Sequence, residues 1–265
     1  MVCVYDSGVG GLSTLSALRR LLPRTDVLYL GDTARVPYGT RSATQICRFA
    51  EAALSYLGAQ RPQAVLCACG TVSTVYLPSC RRDFGFPVFG VADAAVDDAL
   101  AAAPSGRIAV LGTAATVRSG YFAAQIRSKR KDAEVYSVAC PLFVSLAECG
   151  MSAADDPIPA LAARRMLSPL VDAGIEALIL GCTHFPWLRP HIARALPGAT
   201  LIDCGASAAA ALAPMLTGEV EQGRVHYLVT DDPEGFSDTA ARMTGRPLEG
   251  KVEVIALPLC NVQNN

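Results

Sequence analysis

The chain has 265 residues, of which 51% are hydrophobic and 18% charged, and its formal net charge is −1. This composition is typical of a packed globular protein and excludes an extensively disordered chain. The small net charge gives no reason to expect a nucleic acid or an anionic membrane as a partner. The length allows one large domain or two small ones.

The compartment is predicted from the start of the chain and from its cysteines. Residues 1–6 lead directly into a strand pattern and lack the basic start and apolar centre of a signal peptide. No segment is long and apolar enough to span a bilayer. The chain has 10 cysteines scattered through strand and helix patterns, which suits a reducing environment better than a disulfide scaffold. We therefore expect a cytoplasmic protein.

The first predicted unit is a strand over residues 2–5, a glycine-rich turn over 6–13 and a helix ending near Pro23. Glycines at the start of a helix let backbone N–H groups approach an anion such as a carboxylate. A plain tight turn explains the glycines almost as well, and the pattern does not fit a dinucleotide-binding fingerprint. Asp6 is more informative, because a carboxylate at the end of a buried strand needs a partner or a function.

A second strand is predicted over residues 27–30, followed by the segment Gly31–Gly39 and a helix over 42–57. The segment is polar, contains proline and glycine, and is too long for a simple turn, so it is typical of a binding loop. Taken without the rest of the chain, a surface loop with a structural Tyr38 would be the better explanation.

The next unit places a cysteine and hydroxyl groups after a buried strand. An apolar run over residues 64–68 predicts the strand, and Cys69, Thr71 and Ser73 follow it. A helix then ends near Arg81, and residues 86–91 predict a further short strand.

The second half of the chain repeats this order. After a helix over residues 93–103, a strand over 108–112 leads through a small-residue turn into a helix, as at the start of the chain. The remaining predicted elements are a strand at 135–138, an irregular piece at 140–141, the apolar segment 142–149, a helix at 157–173 and a strand at 177–180. Cys182, Thr183 and His184 follow this last strand.

The C-terminal part continues the alternation of strands and helices. It is predicted to contain a strand at 201–203, a helix at 208–216, a strand at 225–230, a helix at 236–243, an edge strand at 252–255 and a polar tail at 261–265. The pattern predicts an α/β fold of two similar lobes, each a mainly parallel sheet flanked by helices and related by a pseudo-twofold axis. We expect the active site to lie between the lobes.

The two cysteines at strand ends suggest a particular chemistry. A single free cysteine is most often a small buried hydrophobic residue. Residues just past the carboxyl ends of parallel strands, however, line ligand crevices. Two thiols on either side of a small ligand can move a proton off one face of a carbon and onto the other. Asp6 belongs to the same half as Cys69, and Glu148 and His184 belong with Cys182.

Other cysteine and lysine chemistries fit less well. A cysteine hydrolase would use His184 but would leave the second cysteine idle. The cysteine spacings suit neither a closed zinc site nor a Cys-x-x-Cys redox pair. A pyridoxal phosphate enzyme needs a buried lysine, and the lysines of this chain, Lys129, Lys131 and Lys251, do not end buried strands.

These segments together resemble the motif set of the glutamate racemases. The matching segments are Asp6–Ser13, Gly31–Gly39, Ala68–Thr71, Gly112–Thr116 and Leu180–His184, with Glu148 and Leu201–Asp203 in corresponding places. They occur in unbroken order from Val4 to about Ala208, and the resemblance is weaker after that. Several motifs in order are far more specific than any one of them.

The resemblance implies a cofactor-independent isomerase, active as a homodimer, that interconverts L- and D-glutamate and supplies D-glutamate for cell-wall peptidoglycan. It implies that Cys69 and Cys182 are the acid/base thiols, with Asp6 assisting the first and His184 and Glu148 the second. Groups that would hold the substrate are Asp6, Ser7, Tyr38, Gly39, Gly70, Thr71, Thr116, Thr183 and His184. It also implies one lobe from residues 1–92 and 208–265 and another from 93–207.

At one position the chain departs from the family pattern. The resemblance implies Ala-Cys-Asn-Thr at the first thiol, and here Gly70 replaces the asparagine. An amide can donate hydrogen bonds to a substrate carboxylate, so we expect Gly70→Asn to lower the KM for glutamate and leave kcat little changed. A racemase for aspartate or another amino acid, and a catalytically weak homologue that binds an acidic ligand or a protein partner, remain alternatives.

Overall fold

The computed structural model describes residues 1–80, 82–216 and 222–258. Parallel strands that are buried on both faces need nearly continuous apolar sequence, and the central strands have it. The strands are β1 Val2–Asp6, β2 Val27–Gly31, β3 Val65–Cys67, β4 Val88–Gly90, β5 Arg107–Gly112, β6 Glu134–Ala139, β7 Ala177–Leu180, β8 Thr200–Asp203, β9 Val225–Val229 and β10 Val252–Val254.

Helices connect these strands and cover both faces of each sheet. They are α1 Leu12–Leu21, α2 Ala43–Gly58, α3 Gly70–Val75, α4 Ala92–Ala102, α5 Ala114–Ser119, α6 Tyr121–Lys129, α7 Pro141–Glu148, α8 Pro157–Leu167, α9 Arg189–Ala195, α10 Cys204–Leu212 and α11 Pro233–Thr244. Ser42, Thr113 and Asp203 accept hydrogen bonds from the first-turn N–H groups of α2, α5 and α10, which fixes where these helices begin.

The strands form two sheets with the same internal order. The first sheet has the order β10-β9-β2-β1-β3-β4 and the second β6-β5-β7-β8, and the pairings are parallel. In the first sheet β1 lies between β2 and β3, and in the second sheet β5 lies between β6 and β7. This common order confirms the predicted fold of two α/β lobes with mainly parallel sheets.

The C-terminal segment adds β9 and β10 to the outer side of β2, in the first sheet. The pairing of β10 with β9 alone confirms the predicted edge strand. The predicted lobe boundaries at residues 92 and 207 stay predictions, because α10 crosses the second one. This helix packs against α1 of the first lobe and α4 of the second.

Several predicted elements have different bounds in the structure. The segment predicted to be irregular at Pro141 is the first turn of α7, where proline lacks only an N–H that has no intrahelical partner. Helix α3 ends at Val75, and a 3₁₀ turn with Pro78 follows it. Helix α10 begins earlier than predicted because Asp203 caps it. The predicted helix end at Arg81 and the polar tail 261–265 lie outside the described residues.

Across the described ranges, no helix combines the length and the apolar content that crossing a lipid bilayer requires.

Candidate active site

Each sheet has a switch point, where the order of the strands reverses: β2 and β3 lie on opposite sides of β1, and β6 and β7 lie on opposite sides of β5. In the first sheet this point lies between β1 and β3, and in the second between β5 and β7. Crevices that bind ligands form at the carboxyl ends of strands at such points. Asp6 ends β1 and Cys69 follows β3, while Thr113 follows β5 and Cys182 follows β7. The repeat therefore places both thiols at equivalent points of the two sheets.

The first thiol, that of Cys69, is 5% exposed and donates a long hydrogen bond of 3.6 Å to the Ser7 hydroxyl. Burial and the nearby charge of Asp6 raise the pKa of Cys69 to about 12, and the hydrogen-bond contacts of the sulfur with the Val72 backbone and the Ser7 side chain oppose this rise. At neutral pH this group is therefore a protonated thiol that can donate a proton.

Asp6 lies at the junction of the two lobes. Its carboxylate is fully buried and accepts hydrogen bonds from the Gly8 N–H at 3.0 Å and from the Thr183 hydroxyl at 3.5 Å. Burial raises the pKa of Asp6, and the charge of His184 and backbone N–H groups oppose this rise. Asp6 acts on Cys69 through its charge, and the proton relay predicted between them stays a prediction.

The second thiol begins a chain of three polar groups. The Cys182 sulfur lies 3.7 Å from Nδ1 of His184, and Nε2 of the same ring lies 2.9 Å from Oε1 of Glu148. Burial lowers the pKa of His184, but the hydrogen bonds to Cys182 and Glu148 outweigh it and raise the pKa to about 10. The structure thus brings together the three residues predicted for the second half of the site, with the His184 ring between the Cys182 sulfur and the Glu148 carboxylate.

A cluster of threonine hydroxyls connects the two lobes near the thiols. The Thr71 hydroxyl oxygen lies 3.0 Å from that of Thr113 and 3.5 Å from that of Thr116. The hydroxyl oxygens of Thr113 and Thr116 lie 3.0 Å apart. Thr71 and Thr116 are among the residues predicted to hold substrate, whereas Thr113 lies in the segment Gly112–Thr116 and is not among the predicted site residues. Its position directly after β5 was the signal that could have identified it, since the other site residues also follow strands.

Tyr38 and Gly39 occupy different environments. The Tyr38 side chain is buried, and its hydroxyl is hydrogen-bonded to Tyr5 and to the Asp32 carboxylate. This hydroxyl is therefore engaged within the first lobe. Gly39 instead lies against the Thr113 side chain, where a Cβ atom would come within 2.6 Å of the threonine Cβ. The backbone at Gly39 thus borders the threonine cluster.

Helix α1 provides a further contact between the lobes that the sequence analysis missed. The Ser13 hydroxyl donates a hydrogen bond of 2.8 Å to the carbonyl oxygen of Thr183. Gly10 lies so close to Thr183 and His184 that a side chain at position 10 would overlap both. The glycine at this position of the turn is therefore needed so that the backbone leading into α1 can pack against the Cys182–His184 turn.

Gly70 has a similar role at the first thiol. A Cβ atom at position 70 would overlap the backbone carbonyl oxygen of Gly181, the residue before the second thiol. The two thiol-bearing turns are therefore in backbone contact at a place where a side chain does not fit. This contact argues against the expectation that Gly70→Asn would leave kcat little changed, because the turns must separate to admit any side chain, and the expectation stays a prediction.

The comparisons with known proteins agree with this geometry. The family model for Asp/Glu/Hydantoin racemase matches residues 12–212. A glutamate racemase from Thermus thermophilus is 42% identical over 248 residues, which cover 92% of each chain.

Solved structures are similar over nearly the whole chain. A glutamate racemase isoform from Bacillus anthracis superposes with a TM-score of 0.90 at 28% identity, with 98% of each chain covered. A glutamate racemase from Francisella tularensis, in complex with D-glutamate, gives a TM-score of 0.86 at 33% identity, with 97% of each chain covered. The two sheets with their paired thiol turns, the family model and these relatives together show that this chain belongs to the Asp/Glu/Hydantoin racemase family.

Proposed function

We propose that this chain interconverts L- and D-glutamate by transferring protons between the substrate α-carbon and the thiols of Cys69 and Cys182. The observation that carries the proposal is the equivalent placement of the two thiols after β3 and β7, on turns in backbone contact through Gly70 and Gly181. The names of the relatives support glutamate as the substrate.

The proposed reaction removes the α-hydrogen from one face and returns a proton to the other. In one direction the Cys182 thiolate takes the α-proton, and the electron pair is held by the adjacent substrate carboxylate. The Cys69 thiol then donates its proton to the opposite face of the carbon and becomes the thiolate. The product is the other enantiomer, and no atom is lost from enzyme or substrate.

The different surroundings of the two thiols favour a reaction that starts from a Cys182 thiolate and a protonated Cys69 thiol. The positive charge of His184, 3.7 Å from the Cys182 sulfur, stabilises negative charge that forms there. The raised pKa of Cys69 keeps the first thiol protonated and ready to donate. For the reverse direction the nearby Asp6, whose pKa is also raised, would accept the Cys69 proton.

Hydroxyl groups around the thiols would hold the two carboxylates and the amino group. The Thr71, Thr113 and Thr116 cluster provides several donors, and Ser7 and Thr183 add others beside the first thiol and Asp6. A substrate with two carboxylates could bind at both ends. Beyond the reaction, we propose a cytoplasmic homodimer that supplies D-glutamate for peptidoglycan.

The purified protein is expected to form D-glutamate from L-glutamate, and to do so after exhaustive dialysis against a chelator. Circular dichroism of the substrate and coupled enzymatic detection of D-glutamate measure the reaction, with L-aspartate and L-alanine tested in parallel. Faster turnover of aspartate would reassign the substrate and leave the thiols in place. Activity that returned only on adding pyridoxal phosphate or a metal ion would refute cofactor independence.

Glu148→Gln is expected to move the titration of His184 to lower pH. The carboxylate raises the pKa of the imidazole by favouring its charged form, and a neutral amide gives less of this stabilisation. The limb of the kcat/KM profile that reports His184 should shift in the same direction. NMR titration resolves the shift directly, because the chain has 3 histidines.

The matched control for this experiment is Glu134→Gln. It removes the same charge from the exposed amino end of β6, opposite the strand ends that carry the site. The control should leave the His184 titration unchanged. An unshifted His184 pKa in Glu148→Gln would show that this carboxylate does not act on the imidazole.

A further inference from the structure

The loop between β2 and α2 reaches the candidate site with its last residues. A short 3₁₀ turn, Tyr38–Thr40, packs against α5, and the Gly39 backbone lies against the Thr113 side chain. Thr113 belongs to the threonine cluster that is proposed to hold substrate. The position of this loop therefore sets one edge of the proposed substrate site.

The first residues of the same loop are attached to the C-terminal part of the chain. The Thr33 hydroxyl donates a hydrogen bond of 2.5 Å to the Asp231 carbonyl oxygen and accepts one of 2.9 Å from the Asp231 N–H. The Ala34 N–H donates a hydrogen bond of 2.9 Å to the Thr230 hydroxyl. Because Thr230 and Asp231 directly follow β9, the first lobe fixes the start of the loop.

Arg35 makes a further attachment through its guanidinium group. Nη2 donates a hydrogen bond of 2.6 Å to the Leu257 carbonyl oxygen, and Nη1 pairs with Oδ2 of Asp32 at 3.2 Å. The same group lies over the Phe49 ring, 5.2 Å from its centroid. The Arg35 side chain is 15% exposed, and Leu257 is buried in the apolar core of the first lobe. The guanidinium group is therefore held in place, with donors directed at groups of this chain.

The Asp32 carboxylate extends this attachment to the end of the loop. It is fully buried and accepts hydrogen bonds from Arg35 and from the Tyr38 hydroxyl. A buried carboxylate needs such a partner, since an uncompensated charge is strongly destabilising. Tyr38 directly precedes Gly39 in the chain. A continuous series of polar contacts therefore runs from the Leu257 carbonyl oxygen to the residue beside Gly39.

We propose that Arg35 is a positioning residue for substrate binding, which holds the Gly39 backbone against the threonine cluster by linking Asp32 to the Leu257 carbonyl oxygen. The inference rests on the proposed racemisation of glutamate and deepens it. Gly39 is expected to hold substrate and has no group that transfers protons. Loss of the link should therefore weaken the binding of substrate and of the transition state equally, which raises KM and leaves kcat unchanged.

Arg35→Gln is expected to raise the KM for L-glutamate by about ten-fold, because the loss of a hydrogen bond to a charged group has an effect of this order. The change in kcat should be less than about two-fold. Arg35→Lys keeps the charge but lacks the planar set of donors that reaches Asp32 and Leu257 together. Its KM should therefore lie between those of the wild type and Arg35→Gln. Steady-state kinetics measures both constants.

Hydrogen exchange followed by mass spectrometry tests the position of the loop directly and without substrate. The backbone amides of residues 33–41 should exchange faster in Arg35→Gln than in the wild type, because a loop that has lost an attachment opens more readily. A role in stability alone would lower the melting temperature and leave KM unchanged. The combination of a higher KM with faster exchange confined to the loop is specific to positioning.

The matched control is Arg130→Gln. Arg130 also donates to a carboxylate, that of Asp132 at 3.3 Å, and to a backbone carbonyl oxygen, that of Ala103 at 2.9 Å. It precedes the amino end of β6, opposite the strand ends that carry the site. This variant should leave the KM for L-glutamate and the exchange of residues 33–41 as they are in the wild type.

Four results would overturn the proposal. They are an unchanged KM in Arg35→Gln, an equal rise of KM in Arg130→Gln, unchanged exchange of the loop amides in Arg35→Gln, and a fall in kcat at constant KM. Should Arg35→Gln fail to fold by its thermal melt, Arg35→Lys is judged by the same criteria, because it keeps a positive charge beside the buried Asp32.

The proposed function and the role of Arg35 can fail separately. A wild type that does not racemise glutamate refutes the proposed function. The exchange comparison is made without substrate, so it still decides whether Arg35 holds the loop in place.

Discussion

Cys69→Ala and Cys182→Ala are each expected to lower the rate of glutamate racemisation by at least about 10³-fold, since positioned acid/base groups contribute on the order of 10²–10⁴-fold each. Inversion needs a base on one face of the α-carbon and an acid on the other. With either thiol absent, the remaining one can only return a proton to the face from which it took one. Racemisation is then lost, although proton removal and return on one face of the α-carbon can continue.

The two variants should therefore differ in hydrogen exchange. In deuterium oxide, each is expected to exchange the α-hydrogen of one enantiomer of glutamate without inverting it. The enantiomer that exchanges should be opposite in the two variants, because the thiols act on opposite faces. NMR of recovered L- and D-glutamate measures both exchange and configuration.

Cys67→Ala is the control for these substitutions. Cys67 is another buried thiol, two residues before Cys69 at the end of β3, and it has no place in the proposed reaction. Its activity should stay close to that of the wild type. Full racemisation by Cys69→Ala or Cys182→Ala would rule out the two-thiol mechanism, and loss in Cys182→Ala alone would favour a mechanism with one catalytic cysteine.

Local sequence was sufficient to predict the parts of the site that lie along one strand and the turn after it. Apolar runs predicted β1, β3 and β7, and the polar residues after each run are Asp6, Cys69 and Cys182. The repeated order of strands predicted that these turns occupy equivalent positions. The parallel pairing and strand order of the two sheets then bring the predicted residues to the carboxyl ends of the strands.

Contacts between the lobes could not be predicted in this way. The hydrogen bond from Ser13 to Thr183 joins residues far apart in the sequence, and its geometry depends on how α1 packs against the second lobe. The same holds for Thr71 with Thr113. The resemblance implied that Tyr38 holds substrate, and a structural role was the alternative; its hydroxyl is hydrogen-bonded within the first lobe. Sequence periodicity carries no information about such distances.

Gly70→Ala is expected to lower kcat for glutamate by about 10²-fold, because a shift of about 1 Å in reacting groups has an effect of this order. The added Cβ would overlap the Gly181 carbonyl oxygen, which is backbone and cannot rotate away. The turns that carry Cys69 and Cys182 must then move apart. Steady-state kinetics measures the effect, and a thermal melt should show destabilisation of about 1–3 kcal/mol, as for other overpacked sites.

Gly58→Ala is the matched control for this last substitution, and Gly70→Asn decides between two roles for position 70. At Gly58 the added Cβ would come within 2.9 Å of the edge of the half-buried Phe86 ring, a side chain that can move, so kcat should be unchanged. If the overlap with the Gly181 carbonyl oxygen has the larger effect, Gly70→Asn lowers kcat at least as much as Gly70→Ala. If the hydrogen bonds of the added amide to the substrate have the larger effect, Gly70→Asn lowers KM and preserves kcat. This second result would show that the two turns separate readily during the reaction.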